Sequence, residues 1–229
     1  MALIPRITRL RATIHRLIAS RWPLVGPFDH VASPADAAAV MELEAWTNDR
    51  VTAELDRLGQ LPQDEWVTGV PGATLVMAAF CYPAPGGGRF NTERLGAWYA
   101  TRDVDTAIAE TVYHHVRRLQ ASDAGFHGTI QMRELRADLD ARVHDIRGRR
   151  PSYRQLYDPQ SYARSQPFGD TLRASGSNGI LFDSVRRPGG QNVVVFRPRL
   201  LPPIYEGDRY DYRWTGESQP VVMKIVAAS

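Results

Sequence analysis

The order of helical and strand-like segments is the feature that most constrains how this chain folds. An amphipathic helix is predicted at 35–58 after the N-cap Ser33, and Asp103 caps a second helix at about 104–120. Further candidates are strands at 74–82, 97–100, 129–136, 143–147, 179–186, 191–197 and 221–227 and a helix at 161–174. Helices and strands do not alternate regularly, so the order predicts an α+β protein with a mixed or antiparallel sheet and flanking helices.

At 229 residues the chain is long enough for one sizeable core or two small ones, and we expect a single domain over residues 1–229. We expect residues 1–72 to form a largely helical N-terminal extension packed on a sheet core at 73–229. Arginines interrupt the apolar residues at the N-terminus, and no apolar run approaches the roughly 18 residues of a membrane span. We therefore expect a cytoplasmic protein with no membrane partner.

Cysteine content and charge narrow the functional classes. Cys81 is the only cysteine, which excludes a disulfide framework and a multi-thiolate zinc site, and its apolar surroundings predict a buried strand residue. The net charge is +3, and the arginines are spread over the whole chain. We expect no direct nucleic-acid binding, although the arginine excess keeps a nucleic-acid-binding domain as an alternative.

The glycine-rich turn Gly86-Gly87-Gly88 precedes the first candidate site residue, Arg89. Its guanidinium offers a planar fork of donors for phosphate oxygens, and the glycines leave backbone N–H groups accessible. Ten residues later, Tyr99 in a short strand either packs in the core or stacks on a ligand ring. The neighbouring Phe90 and Trp98 are assigned to packing.

Glu110 borders the apolar stripe of the helix predicted at 104–120. Thr106 and His114 lie one turn away on the same side. From the helix alone, a solvated glutamate is the simpler interpretation, but its order after an arginine and a tyrosine favours a site. Adjacent His114 and His115 point about 100° apart, so they cannot bind one metal ion, and no metal is expected. His114 is instead a candidate partner for Glu110.

A second polar block begins at Ser184, and a Gly189-Gly190 hairpin turn leads from it to Asn192. No Gly-x-Ser-x-Gly elbow surrounds the serine, so a hydrolase nucleophile is not supported. A serine that faces a cleft is suited to hydrogen bonding with a sugar or phosphate. Asn192 is a further candidate site residue. P-loop and Gly-x-Gly-x-x-Gly signatures are absent.

Taken together, these segments resemble the RES-domain family, which is named for Arg, Glu and Ser. The resemblance is carried by Arg16 to Pro23, Gly88-Arg89-Phe90-Asn91, Trp98-Tyr99-Ala100, Ala107 to His114, Ser165-Gln166, Asn178-Gly179, Ser184-Val185-Arg186 and Gly189-Gly190. It implies a fold resembling that of ADP-ribosyltransferases, which binds NAD+ as a substrate without a Rossmann domain. It also implies a toxin whose partner is an Xre-type helix-turn-helix antitoxin.

The resemblance also implies roles for individual residues. Arg16 and Arg89 would contact phosphates, Tyr99 the nicotinamide end, Glu110 the reacting ribose, and Ser184 a ribose or phosphate. From their positions in the chain, His114 and Asn192 are added as candidate residues of the NAD+ site. Asp183 stands where many short members of the family have proline, which leaves the geometry at Ser184 open.

The implied activity is cleavage of the nicotinamide–ribose bond of NAD+, by hydrolysis or phosphorolysis. A protein ADP-ribosyltransferase and a non-catalytic NAD-binding regulatory module are the alternatives. Only the acceptor of the ADP-ribosyl group (water, phosphate or protein) separates the enzymatic possibilities, and the sequence leaves it open.

Overall fold

The computed structural model describes residues 4–21, 26–45, 56–123 and 125–226. The strands are β1 (Arg6–Ala19), β2 (Trp98–Thr101), β3 (His127–Asp145), β4 (Gly179–Asp183), β5 (Gln191–Val195), β6 (Ile204–Thr215) and β7 (Val221–Ile225). The helices are α1 (Pro27–His30), α2 (Pro34–Ala45), α3 (Ala73–Cys81), α4 (Val104–Gln120) and α5 (Ser165–Ala174). Short 3-10 helices lie at Gln63–Glu65, Arg154–Tyr157 and Pro198–Leu200.

One seven-stranded mixed sheet organises the protein, in the order β1-β2-β5-β4-β3-β6-β7. Strand β1 also pairs with β3, so the first five strands of this order form a closed ring that β6 and β7 extend. Among these pairings only β3 and β4 run parallel. This arrangement, with helices packed around the sheet, confirms the α+β class predicted from the order of segments.

The α4 prediction is confirmed at both ends. Asp103 accepts a hydrogen bond from the Thr106 backbone N–H at 2.8 Å, which is the expected N-cap, and the helix spans Val104–Gln120. Its apolar face packs on β1 and on the aromatic residues of β6, including Tyr212 and Trp214. This packing holds the Glu110 face of the helix against the sheet.

Other predicted elements are confirmed with small shifts of their ends. Strands β2, β4, β5 and β7 match four of the predicted strands, α5 is shorter than predicted, and Ser33 caps α2. The predicted continuation of α2 through 46–55, the last residue of the strand predicted at 221–227, and Trp22 and Pro23 lie outside the described residues. Phe90 and Trp98 are buried, as expected for packing residues.

The strand predicted at 74–82 is wrong, because these residues form helix α3. Val76, Met77 and Phe80 are fully buried, and the segment is apolar on nearly every side. A short run of this kind carries no period that separates a buried helix from a buried strand. Cys81 is buried as expected, but it ends a helix.

The sequence did not predict strands β1 and β6. Two strands that it predicted separately form one continuous strand in the structure. Residues 129–136 and 143–147 belong to the single 19-residue strand β3. Strand β6 pairs with its first half, and β1 pairs with its second half from Met132 to Asp145. Residues 6–19 therefore form part of the sheet rather than of a helical extension. Among the described residues, no helix is long and apolar enough to cross a membrane.

Candidate functional site

A cleft of about 380 Å³ lies between α4, the β1–β2–β5 part of the sheet and the glycine-rich turn. This volume lies within the roughly 300–1,000 Å³ range of small-molecule sites. Six of the seven predicted site residues line it, namely Arg16, Arg89, Tyr99, Glu110, His114 and Asn192. The seventh, Ser184, does not line this cleft but donates a hydrogen bond to Glu110, which does.

The Glu110 carboxylate is fixed by two donors on one oxygen. Its Oε1 accepts hydrogen bonds from Ser184 Oγ at 2.7 Å and from Asn192 Nδ2 at 2.6 Å. Helix α4 supplies the carboxylate, the β4–β5 turn supplies the serine, and β5 supplies the asparagine. Within the described chain no donor reaches Oε2, so this oxygen is available to a ligand.

Ser184 directs its hydroxyl to Glu110 and to the backbone. It follows the last residue of β4 and lies in the turn, rather than inside the strand as expected. The backbone N–H groups of Arg186 and Arg187 both donate to its Oγ at 3.0 Å. Asp183 points elsewhere and accepts a hydrogen bond from the Gly148 N–H. The serine thus orients the carboxylate and closes the turn.

Asn192 has an unsatisfied acceptor. The residue is 7% exposed, and its Oδ1 is buried without a hydrogen-bond partner among the described residues. Leaving a buried carbonyl oxygen unpaired costs about 1–3 kcal/mol. A hydroxyl or amide of a bound ligand would remove this cost.

Arg89 lines the cleft and is anchored by backbone carbonyls. Its Nη1 donates to Leu156 O and to Asp158 O, both at 2.8 Å. The guanidinium lies 5.0 Å from the ring centre of Tyr162. Burial lowers the pKa of Arg89, and the nearby Glu110 opposes that shift. Its other nitrogens hold no hydrogen bond within the described chain and can face an anionic ligand.

Tyr99 ties the glycine-rich turn to the sheet. Its hydroxyl accepts a hydrogen bond from the Phe90 N–H and donates one to Asn91 Oδ1, each at 2.8 Å. Burial raises the pKa of Tyr99, so the phenol stays neutral. A Cβ at Gly88 would lie 2.7 Å from the tyrosine hydroxyl, which explains the glycine at this position.

Arg16 reaches the cleft from β1. Its Nη1 donates to Tyr99 O at 3.1 Å, and its guanidinium lies 4.8 Å from the ring centre of Trp98. Burial lowers the pKa of Arg16 to about 10, which keeps it charged at neutral pH. A second positive charge therefore borders the same cleft as Arg89.

His114 lines the cleft one turn after Glu110. Burial lowers its pKa, and Glu110 opposes that shift. No hydrogen bond joins the two side chains, so the expected partnership is electrostatic only. The adjacent His115 points away and packs against Tyr212 and Trp214. Among the described residues, no group of three or more His, Cys, Asp or Glu could hold a metal ion.

Several residues of the cleft were not singled out from the sequence. His15, Arg118, Tyr162 and Arg186 also line it. Arg186 stacks on the ring of Tyr113 and was visible only as part of the Ser-Val-Arg segment. The others had no local signal, because only distant strands and loops bring them to the cleft.

Gln166 was noted in the sequence only as part of the family resemblance. In the structure it supports the glycine-rich turn. Its Nε2 donates to Gly86 O at 2.6 Å and to Gly88 O at 3.2 Å. The turn is therefore held from α5 as well as from Tyr99.

An arginine-lined cleft with one fixed carboxylate is suited to an anionic ligand. The sequence model of the RES domain matches residues 54–215, which is most of the chain. The chain therefore belongs to the RES domain family.

Two known proteins provide further comparisons. The chain is 26% identical over 207 residues to the uncharacterized protein y4oC of Sinorhizobium fredii, covering 90% of this chain and 85% of that protein. A chain in the crystal structure of the M. tuberculosis MbcT–MbcA toxin–antitoxin complex is 13% identical, with a TM-score of 0.48, over 90% of this chain and 87% of that chain.

Proposed function

We propose that this protein is the toxin of a toxin–antitoxin system and consumes NAD+ by cleaving its nicotinamide–ribose bond. Membership of the RES family supports the class of activity, since the family resemblance implies NAD+ as substrate. The observation that carries the proposal is the Glu110 carboxylate, which two side-chain donors hold on one oxygen at the wall of an arginine-lined cleft.

The carboxylate matches the charge that develops during this cleavage. Nicotinamide leaves with the electron pair of the C–N bond and is neutral after departure, so the positive charge passes to the ribose. A preorganised carboxylate beside the ribose stabilises that cation by several kcal/mol. Ser184 and Asn192 orient Glu110 before the substrate binds, so little reorganisation accompanies the reaction.

The arginines would bind the pyrophosphate of NAD+. Arg16 and Arg89 carry charges at the border of the cleft, and Arg118 and Arg186 line it as well. Guanidinium groups pair with phosphate oxygens through two parallel hydrogen bonds, which adds orientation to affinity. We assign the unpaired Oδ1 of Asn192 to a hydroxyl of the reacting ribose.

The proposed partner is an Xre-type helix-turn-helix antitoxin that covers the cleft, as the family resemblance implies. On this proposal the protein acts in the cytoplasm, needs no metal and makes no direct contact with nucleic acid. Coexpression with the adjacent helix-turn-helix gene, if one is present, should restore growth to cells that express the toxin. Growth that the antitoxin does not restore would argue against this partner.

Nicotinamide release from NAD+ by the purified protein tests the activity. Glu110→Gln keeps the size of the side chain and removes its charge, so we expect turnover to fall about 10³-fold. Glu217→Gln, in the exposed turn between β6 and β7, is the matched control and should keep wild-type activity. Equal activity of Glu110→Gln and wild type would remove Glu110 from the mechanism.

Two other outcomes would replace the proposal. Tight NAD+ binding without nicotinamide release would indicate a non-catalytic NAD-binding module. Transfer of label from NAD+ to a protein band in a cell lysate would indicate a protein ADP-ribosyltransferase.

A further inference from the structure

His15 lines the cleft, and the buried Glu134 lies behind it in a second polar pair. His15 of β1 is directly opposite Thr101 of β2, and Thr101 is directly opposite Asn192 of β5. Residues directly opposite in antiparallel strands share a face. His15, Thr101 and Asn192 therefore form one row under α4, with the Asn192–Glu110 contact at one end and His15 at the other.

Two strand spacings separate His15 from Asn192, which holds Glu110. Neighbouring strands lie about 4.8 Å apart, so the backbones of His15 and Asn192 are roughly 10 Å apart. Sugar-cleaving enzymes that direct water to the face opposite the leaving group place their two catalytic groups about 6.5–9.5 Å apart. A ribose and a water molecule can occupy a gap of this size.

The imidazole of His15 is held in one tautomer. Its Nδ1 lies 2.6 Å from Glu134 Oε1, and Glu134 Oε2 accepts a hydrogen bond from the Asp208 N–H at 2.8 Å. A carboxylate only accepts, so Nδ1 carries the proton and Nε2 of the neutral ring has a free lone pair. Nε2 has no partner among the described residues, and His15 lines the cleft.

This pair is less exposed than two neighbouring side-chain pairs that also join β1 and β3. Arg9 with Asp140 and Thr13 with Asp138 are exposed rungs on the surface of the same ribbon. The His15 and Glu134 side chains are 21% and 5% exposed. A surface rung adds little stability, whereas a buried carboxylate behind a cleft histidine is the arrangement of a general base.

We propose that His15, oriented by Glu134, is the general base that activates water as the acceptor of the ADP-ribosyl group. This inference rests on the proposed function and identifies hydrolysis as its reaction. The bond between ribose C1′ and the nicotinamide nitrogen breaks, and its electron pair leaves with nicotinamide. The water oxygen bonds to C1′ while its proton passes to His15 Nε2. Glu134 stabilises the imidazolium until it releases the proton to solvent.

The test is rescue of a His15 variant by azide, an anionic nucleophile that has no proton to lose. His15→Gln retains a donor toward Glu134 but is not a base, so hydrolysis should fall about 10²-fold. Added azide should restore nicotinamide release and yield ADP-ribosyl azide. Glu134→Gln should lose about tenfold and be rescued in the same way. Thr13→Val, on the neighbouring surface rung, should match wild type.

Each alternative outcome overturns the inference. Wild-type hydrolysis by His15→Gln, or a folded inactive variant that azide does not rescue, would exclude a general base. If His15→Gln does not fold, lack of azide rescue in Glu134→Gln would exclude it. Wild-type protein that forms ADP-ribose 1-phosphate from phosphate and no ADP-ribose would exclude water as acceptor. Failure of wild type to release nicotinamide would instead reject the proposed function itself.

Discussion

Of two charged groups in the cleft, the Glu110 carboxylate is held by two side chains, whereas the Arg89 guanidinium is held by backbone carbonyls. Ser184 and Asn192 converge on a single oxygen of Glu110. Arg89 instead joins its own turn to the end of the 3-10 helix at Arg154–Tyr157 and the loop that follows it. On the proposed function, the two groups should respond differently to mutation, because the contacts of Glu110 orient the reacting carboxylate, whereas those of Arg89 also hold a neighbouring segment.

The position of the Glu110 carboxylate depends on the side chains of Ser184 and Asn192. Changes to these side chains should reduce turnover more than affinity. Arg89 both shapes a loop and carries a charge. Changes there should weaken substrate binding and loosen the loop together.

Among changes to the contacts of these two groups, the largest effect is expected for Ser184→Ala. The variant removes one of the two donors to Glu110 Oε1 and leaves the N–H groups of Arg186 and Arg187 without their acceptor. We expect kcat to fall about 10²–10³-fold with little change in KM. Steady-state kinetics of nicotinamide release measure both constants, and Ser122→Ala, on an exposed serine, is the control. An increase in KM at unchanged kcat would show that Ser184 contacts the substrate directly.

A smaller effect is expected for Arg89→Lys, which keeps the charge but loses the planar fork. One ammonium cannot bond both carbonyls and a phosphate in the same geometry. We expect KM to rise about 10–100-fold and amide hydrogen exchange at 156–162 to become faster. Arg154→Lys, on an exposed arginine of the same region, should change neither. Unchanged exchange at 156–162 would show that Arg89 does not hold the loop.

The smallest effect is expected at His115, which points away from the cleft and has no role in the proposed reaction. Burial, and then the charge of Arg118, lower the pKa of His115 to about 4. The unfolded chain binds this proton near pH 6.5, so stability should fall as pH drops from 6.5 toward 4. We expect this group to account for roughly 1–2 kcal/mol of the loss.

Urea unfolding at pH 7 and pH 4.5 measures this loss. His115→Phe should flatten the pH dependence, and His127→Gln, on an exposed histidine, should keep it. An identical pH dependence in His115→Phe and wild type would exclude His115 as the source. A change in the stability of His115→Phe without a change in its KM would show that the contribution of His115 to stability is independent of the cleft.

Elements with local signals were predictable. The cap Asp103 and the apolar stripe behind it lie within one helix, so the bounds of α4 followed from the sequence. Helix α3 was predicted as a strand, because its burial on all sides comes from elements far away in the chain. Strand β1 was missed for a related reason, since its partner β3 lies more than a hundred residues downstream and Arg9 on its exposed face lies beside Asp140.

The sequence by itself determined the α+β class, helix α4 and the family, because caps, periodicity and the Arg89–Tyr99–Glu110–Ser184 order are written in side chains. Only the tertiary structure decided what those residues touch. The carbonyls that hold Arg89 belong to backbone, which has no sequence signature, and the His15–Glu134 pair exists only through strand register. The chemistry of a side chain can be read from the sequence, but its partner depends on how distant segments of the chain pack together.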